Sequence, residues 1–289
     1  MSNSQPNPHS AGVTSATEIA TKLIQDTTVP SIGFGTWELE GAECRESVEH
    51  ALRVGYRHID TARAYGNEDE VGKALEAAPC QRSELFITSK IWRDDLAPDD
   101  IRRETARSLE LLGLDYLDLM LIHWPNPDIP LESSIETLAA LQSEGVIRHL
   151  GVSNFPVGWL KRAIACGPVF CNQVEYHATL GQRPLLEVCR AHDILLTAYS
   201  PLAHGALKED EPLKQVAEKH GKSIMQVALR WLVEQDNVAA LPRSKTPEHI
   251  NANFDVFDFT LDADDHAAIE RLPKDQRQID PGFAPDWSS

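Results

Sequence analysis

From residue 30 to the C-terminus, short apolar runs alternate with stripes of helical spacing. The strand-like runs are Ser31–Trp37, Tyr56–Asp60, Leu85–Lys90, Leu117–His123, His149–Ser153, Phe170–Glu175, Ile194–Ser200 and Val238–Pro242. Most are short apolar runs rather than strict alternations, which suits parallel strands buried on both faces. Between them, Ser47, Val48, Ala51 and Leu52 form one helical stripe, Ile101, Thr105, Leu109 and Leu112 another, and Ile224, Val227, Ala228, Trp231 and Leu232 a third. Pro98 and Pro184 stand where a first helical turn can begin, and Thr246 precedes Pro247 as an N-cap does. Gly113, Gly145 and Gly221 fall where helices should stop.

Eight strands with intervening helices predict a closed (β/α)8 TIM barrel, an α/β fold occupying residues 21–289 as a single domain. A polar tail over residues 1–20 precedes it, Lys22–Pro30 can form a hairpin lid, and the Pro-rich, aromatic segment Leu272–Ser289 is expected to lie across the barrel. An open doubly wound sheet would want a glycine-rich phosphate loop. Gly33 and Gly35 do not continue to a third glycine at that spacing.

Composition narrows the range of partners. The 289 residues carry 27 Lys and Arg against 44 Asp and Glu, a formal charge of −17. Such a surface repels phosphate polymers, so no nucleic-acid partner is expected, and a small anion needs a local cationic cluster. The five cysteines (Cys44, Cys80, Cys166, Cys171 and Cys189) are scattered without a CxxC pair, which fits buried thiols in a reducing compartment. No secretory signal is visible, and no apolar run approaches the roughly 20 residues that span a bilayer. A soluble cytoplasmic protein is expected.

The candidate chemistry lies in four short runs: Asp60 in HIDTA, Tyr65 in AYGNE, Lys90 in FITSKIW and His123 in LIHWP. In a parallel barrel the loops at the carboxyl ends of the strands converge on one mouth. A free phenol, with a pKa near 10, releases its proton reluctantly at neutral pH. An adjacent Lys90 ammonium would stabilise the phenolate and lower that pKa, with Asp60 keeping the lysine charged and oriented. His123 could hydrogen-bond a substrate oxygen. Each residue also has a plainer reading: Asp60 as a helix cap, Tyr65-Gly66-Asn67 as a turn, Lys90 as a surface cation, His123 as a core histidine. Their joint occurrence at successive strand ends favours the functional one.

Eight motifs in register extend this pattern: GYRHIDTARAYGNEDEVG, ITSKIW, YLDLMLIHWP, GVSNF, NQVEYH, YSPL, LPRS and FDVFDF. From about residue 20 onward the chain resembles the aldo-keto reductases. It looks most like the short-looped bacterial members acting on 2,5-diketo-gluconate and small carbonyls, an impression to which the ending GFAPDW adds. The resemblance implies an NADPH-dependent oxidoreductase, monomeric and metal-free, that reduces aldehydes, ketones or diketones with Tyr65 as general acid. Ser153, Asn154 and Gln173 would hydrogen-bond the nicotinamide carboxamide, and Tyr199 would stack on the ring. Ser200 and Leu202 would follow the pyrophosphate.

Arg243, Ser244, Lys245 and Thr246 follow the last strand at a helix N-terminus, the recurring phosphate site of barrels, and suit a 2′-phosphate. Where NADPH-preferring members commonly carry an arginine, this chain has His249, with Asn253 on the adenine side. Histidine lacks arginine's planar fork and permanent charge, so some tolerance of NADH is expected. Trp37, Trp92, Trp124 and Trp287 should line an aromatic substrate pocket. The short segments after His123 and Ser200 imply an open site with loose substrate selection.

Rival readings are weaker. A metal-dependent hydrolase would need His pairs at ligand spacing, and a Schiff-base aldolase has no use for Tyr199 or the Arg243–Lys245 turn. A non-catalytic nucleotide-sensing barrel would keep the cofactor residues but not an intact four-residue site.

Overall fold

A computed structural model describes residues 20–288. The expected tail at residues 1–20 therefore lies, except for Ala20, outside the described residues. Eight parallel strands follow one another around a barrel in chain order: β3 (Phe34–Gly35), β4 (His58–Asp60), β5 (Phe86–Ile91), β6 (Leu117–Ile122), β7 (Ile147–Ser153), β8 (Val169–Glu175), β9 (Leu195–Tyr199) and β10 (Val238–Leu241). Every residue of β5, β6 and β8 is buried, which is why these strands read as mainly apolar runs without strict alternation. The outer ring is α1 (Gly41–Val54), α2 (Glu68–Glu76), α3 (Pro98–Leu112), α4 (Leu131–Ser143), α5 (Val157–Cys166), α6 (Arg183–Ala191), α7 (Glu211–His220), α8 (Ile224–Glu234) and α9 (Pro247–Phe254). A further helix, α10 (Ala263–Glu270), precedes the C-terminal segment.

The first predicted strand, Ser31–Trp37, is shorter than its apolar run. Only Phe34 and Gly35 pair with β4, because the residues before them turn to the last strand and close the barrel. Gly33 N donates to Ala240 O (2.9 Å), Ala240 N to Ser31 O (2.9 Å) and Gly35 N to Pro242 O (3.1 Å). A Cβ at Gly33 would stand 2.7 Å from Leu241 and 2.8 Å from His58, so the seam needs glycine there. Helix ends follow the expected punctuation, with Gly113 and Gly221 left-handed at the C-caps of α3 and α7. Thr246 occupies the N-cap of α9, but its side chain makes no capping bond.

The expected hairpin is formed by β1 (Thr21–Ile24) and β2 (Thr27–Pro30). Its turn places Gln25 and Asp26 at positive φ (44° and 63°), costly for residues other than Gly or Asn. Tertiary bonds offset that cost: Gln25 N donates to Asp193 Oδ2 (2.7 Å) and Gln25 Nε2 to Val169 O (3.0 Å). Ile24 and Val29 then pack with Phe86, Leu119, Phe170 and Leu195 inside the amino-terminal end of the barrel. The hairpin plugs that end, and the opposite end is left for chemistry.

Candidate active site

The carboxyl end of β4 delivers Asp60, β5 delivers Lys90, and the residue after β6 is His123. Tyr65 ends a single 3-10 turn (Arg63–Tyr65) that the Asp60-Thr61 segment throws over the mouth. The fully buried Lys90 Nζ meets Asp60 Oδ1 at 2.5 Å, Thr61 O at 2.8 Å and Tyr65 OH at 3.2 Å. Three partners match the three N–H bonds of an ammonium group. Asp60 uses its other oxygen to accept from Gln173 Nε2 (2.7 Å). The four sequence candidates are thus brought together, and Gln173 joins them as the partner of Asp60.

Electrostatics sort the group into roles. Burial pulls the Lys90 pKa down, but Asp60 and Tyr65 together push it up further, so the lysine stays charged. Burial is also the largest influence on Tyr65 and raises its pKa; the pull of Lys90 opposes this without overcoming it. The expected lowering is therefore present as a cause but not as the net direction. Burial of the hydroxyl is the main reason, and Asp60, 2.5 Å from the ammonium, adds to it by opposing the pull of Lys90 at the phenol. His123 lies well below the usual histidine range, first by burial and then by Lys90, so its ring is neutral at pH 7. That ring stands edge-on between Tyr65 (centroids 5.7 Å) and Trp92 (5.3 Å).

Asn67 belongs to the site as well, although within AYGNE it reads only as part of a turn. Its amide donates to Thr36 O (2.8 Å) and Leu39 O (2.9 Å), and its carbonyl accepts from Thr61 Oγ1 (3.0 Å). It ties the loop bearing Trp37 to the loop bearing Tyr65.

The other half of the mouth holds the cofactor candidates. Ser153 and Asn154, both buried, end β7 and follow it; Asn154 is left-handed (φ 63°). Asn154 Nδ2 donates to His123 O (3.0 Å) and Ser153 Oγ (3.1 Å), while its Oδ1 accepts from Tyr199 OH (2.7 Å). Ser200 (φ 45°) follows Tyr199, and its hydroxyl lies 3.1 Å from His204 Nε2. His204 meets the Trp37 ring edge-on at 5.9 Å, and half-buried Leu202 belongs to the same loop.

After β10, Arg243 pairs with Glu38 (2.8 Å) and Lys245 with Glu43 (3.3 Å), while Ser244 Oγ accepts from Thr246 N (3.0 Å). On α9, His249 is exposed and Asn253 buried. A basic turn running into a helix N-terminus without a side-chain cap has the donor chemistry a dinucleotide phosphate requires.

Trp92 and Trp124 follow the ends of β5 and β6, and the C-terminal segment completes their surroundings. Phe283 packs edge-on against Trp92 (5.5 Å) and Trp124 (5.4 Å), and Trp287 against Trp124 (6.0 Å). Trp287 thus stands beside Trp124. Phe283 joins it there without any local sequence signal to mark it.

The sequence model of the Aldo/keto reductase family matches residues 31–274. The chain belongs to this family. It is 42% identical over 259 residues to glyoxal reductase from Bacillus subtilis (strain 168), an alignment spanning 89% of this chain and 93% of that one. A crystal structure provisionally named 2,5-diketo-D-gluconic acid reductase B superposes with a TM-score of 0.91 at 37% identity, covering 94% of this chain and 98% of the other. A Bombyx mori aldo-keto reductase in complex with NADP gives a TM-score of 0.85 at 32% identity, covering 93% of this chain and 100% of that one. As an aldo-keto reductase with reductase relatives of this length, the protein is an oxidoreductase acting on carbonyl groups.

Proposed function

We propose that this aldo-keto reductase uses NADPH to reduce small aldehydes, ketones and diketones to alcohols, with Tyr65 as the general acid. The observation that carries the reading is the buried Lys90 ammonium, shared among Asp60, Thr61 and the Tyr65 hydroxyl. The nicotinamide, when bound, supplies hydride. Ser153, Asn154, Gln173, Tyr199, Ser200 and Leu202 would hold it along β7 to β9. Arg243, Ser244, Lys245, Thr246, His249 and Asn253 would hold the adenosine phosphate end.

Tyr65 donates its proton to the substrate oxygen as charge develops there. The phenolate left behind is stabilised by Lys90, and neutral His123 orients the carbonyl by hydrogen bonding. Trp37, Trp92, Trp124 and Trp287 supply apolar walls, which suits small carbonyl compounds. NADPH consumption across a panel of aldehydes, α-diketones and 2,5-diketo-gluconate tests the reading. Tight NADPH binding without turnover on any of them would replace it with a nucleotide-sensing role.

Cofactor choice follows from the basic turn. NADPH should exceed NADH in kcat/KM by about 10- to 100-fold, because one permanent fork is missing where His249 stands. His249→Arg should widen the ratio by about tenfold. A wild-type preference for NADH would contradict the assignment.

The pH profile checks the two roles separately. A neutral His123 has no proton to lose near its usual range, so kcat/KM for reduction should be flat between about pH 6 and 8. Activity should fall only in alkali, as pH rises through the raised pKa of Tyr65 and the acid is lost. An acid limb near about pH 6.5 that disappears in His123→Asn would show an ionising histidine instead.

A further inference from the structure

Glu175, the last residue of β8, has no exposed surface and takes no part in the chemistry above. Its two carboxylate oxygens reach the chain's C-terminal segment. Gln278 N donates to Oε1 (2.8 Å) and Ile279 N to Oε2 (3.0 Å). Arg277 Nη1 lies 3.7 Å from Oε2, and the buried His177 places Nε2 3.0 Å from Oε1. His177 is itself held at Nδ1 by Thr179 Oγ1 (3.1 Å). Burial pushes the Glu175 pKa up, but His177 and the two backbone donors pull it below the usual carboxylate range, so the group is ionised. Charge-assisted bonds from backbone N–H groups to a buried carboxylate are among the stronger hydrogen bonds in proteins.

Two observations show what this clamp positions. On the barrel side, Glu175 is the β-ladder neighbour of Tyr199. On the other side, the clamped residues lead straight into the aromatic wall. The Arg277 guanidinium lies 3.6 Å over the Trp287 ring, and Phe283 stands against Trp92 and Trp124. Beyond Ile279 the segment is mostly at the surface; Phe283 itself is 38% exposed. Little apolar burial holds it down, so its placement depends on its attachment points.

We infer that Glu175 is a positioning residue for substrate selection: it clamps residues 277–279 so that Phe283 and Trp287 stand as a wall of the pocket. The inference rests on the reductase reading for its substrate consequence. Carbonyl compounds with an aromatic or extended apolar substituent reach that wall, whereas glyoxal is too small to do so. Releasing the clamp should therefore cost the first class and spare the second.

Glu175→Gln tests this directly, because the amide group turns one of the two acceptors into a donor facing a backbone N–H. For an aryl aldehyde such as benzaldehyde, KM should rise about tenfold while kcat and the KM for glyoxal stay within about twofold. Tryptic cleavage after Lys274 or Arg277 should accelerate by about tenfold in the folded protein. Phe283→Ala should reproduce the KM rise in the wild type and add nothing further in the Glu175→Gln background. Gln278→Pro removes one donor from the segment's side without altering the barrel, and should match Glu175→Gln in the KM readouts and in cleavage after Lys274, the bond after Arg277 being closed to trypsin by the proline itself. It carries the test if Glu175→Gln does not fold. Unchanged cleavage and unchanged KM in a folded variant, or fully additive effects with Phe283→Ala, would overturn the clamp. If the wild type turns over no carbonyl, the reductase reading fails, while the cleavage rates still decide whether Glu175 holds the segment.

Discussion

Tyr65→Phe is expected to lower kcat for carbonyl reduction by about 10²–10⁴-fold, the range spanned by positioned general acids, while the Kd for NADPH stays within about twofold. The substitution is close to a single-atom deletion. The ring keeps its edge contact with His123, and the adjacent Lys90 still has Asp60 Oδ1 and Thr61 O as acceptors. Only the proton donor is lost. Single-turnover absorbance at 340 nm, with NADPH binding followed separately by fluorescence, separates the chemical step from binding. Loss of cofactor affinity in parallel with kcat would mean that Tyr65 shapes the site rather than acting as its acid. Undiminished turnover would remove it from the mechanism.

Lys90→Met should combine a catalytic loss with a large loss of stability. The side chain is fully buried, and so is nearly all of Asp60 opposite it. Removing the ammonium leaves a buried carboxylate with Gln173 as its remaining side-chain partner, and breaking a buried pair in this way costs about 3–5 kcal/mol. Denaturant unfolding should show the deficit as a lower midpoint. Asp60→Asn combined with Lys90→Met removes the orphaned charge and should recover most of the stability without recovering activity, because the phenolate still has no cation beside it. Recovery of both would assign the pair a purely structural role.

The pH dependence has a defined sign. The folded-state pKa of Lys90 is raised above its ordinary 10.5. Its contribution is therefore complete below 10.5 and is lost only as pH rises through the higher folded value. The share of the Lys90→Met deficit that comes from the lost ammonium should be constant across neutral pH and shrink in strong alkali.

Much of this site is legible in the amino-acid sequence, and the reason is local. A parallel strand buried on both faces must be a short apolar run, so the ends of β4, β5, β6, β7, β8 and β9 can be read within a residue or two. Polar residues at those ends stand out because burial makes them expensive. Where the pattern misleads, long-range pairing overrules it. Ser31–Trp37 is apolar enough for a full strand, yet barrel closure divides its bonds between β4 and β10. Thr246 stands at its helix start without capping it, and its own N–H is taken up by Ser244 Oγ.

By itself the sequence determined the class of fold, the end of the barrel that carries chemistry, and the four residues that gather there. Those features depend on burial periodicity and on motifs whose members lie within a few residues of each other. Only the tertiary structure decided that Gln173 supports Asp60 across 113 positions, that Glu175 reaches Gln278 and Ile279 more than 100 positions away, and that Phe283 completes the aromatic wall. It also decided the net direction of the Tyr65 pKa, which depends on whether burial or a nearby cation is stronger once Asp60 has offset that cation. Such balances depend on distances between segments that only folding brings together, and no local pattern along the chain encodes them.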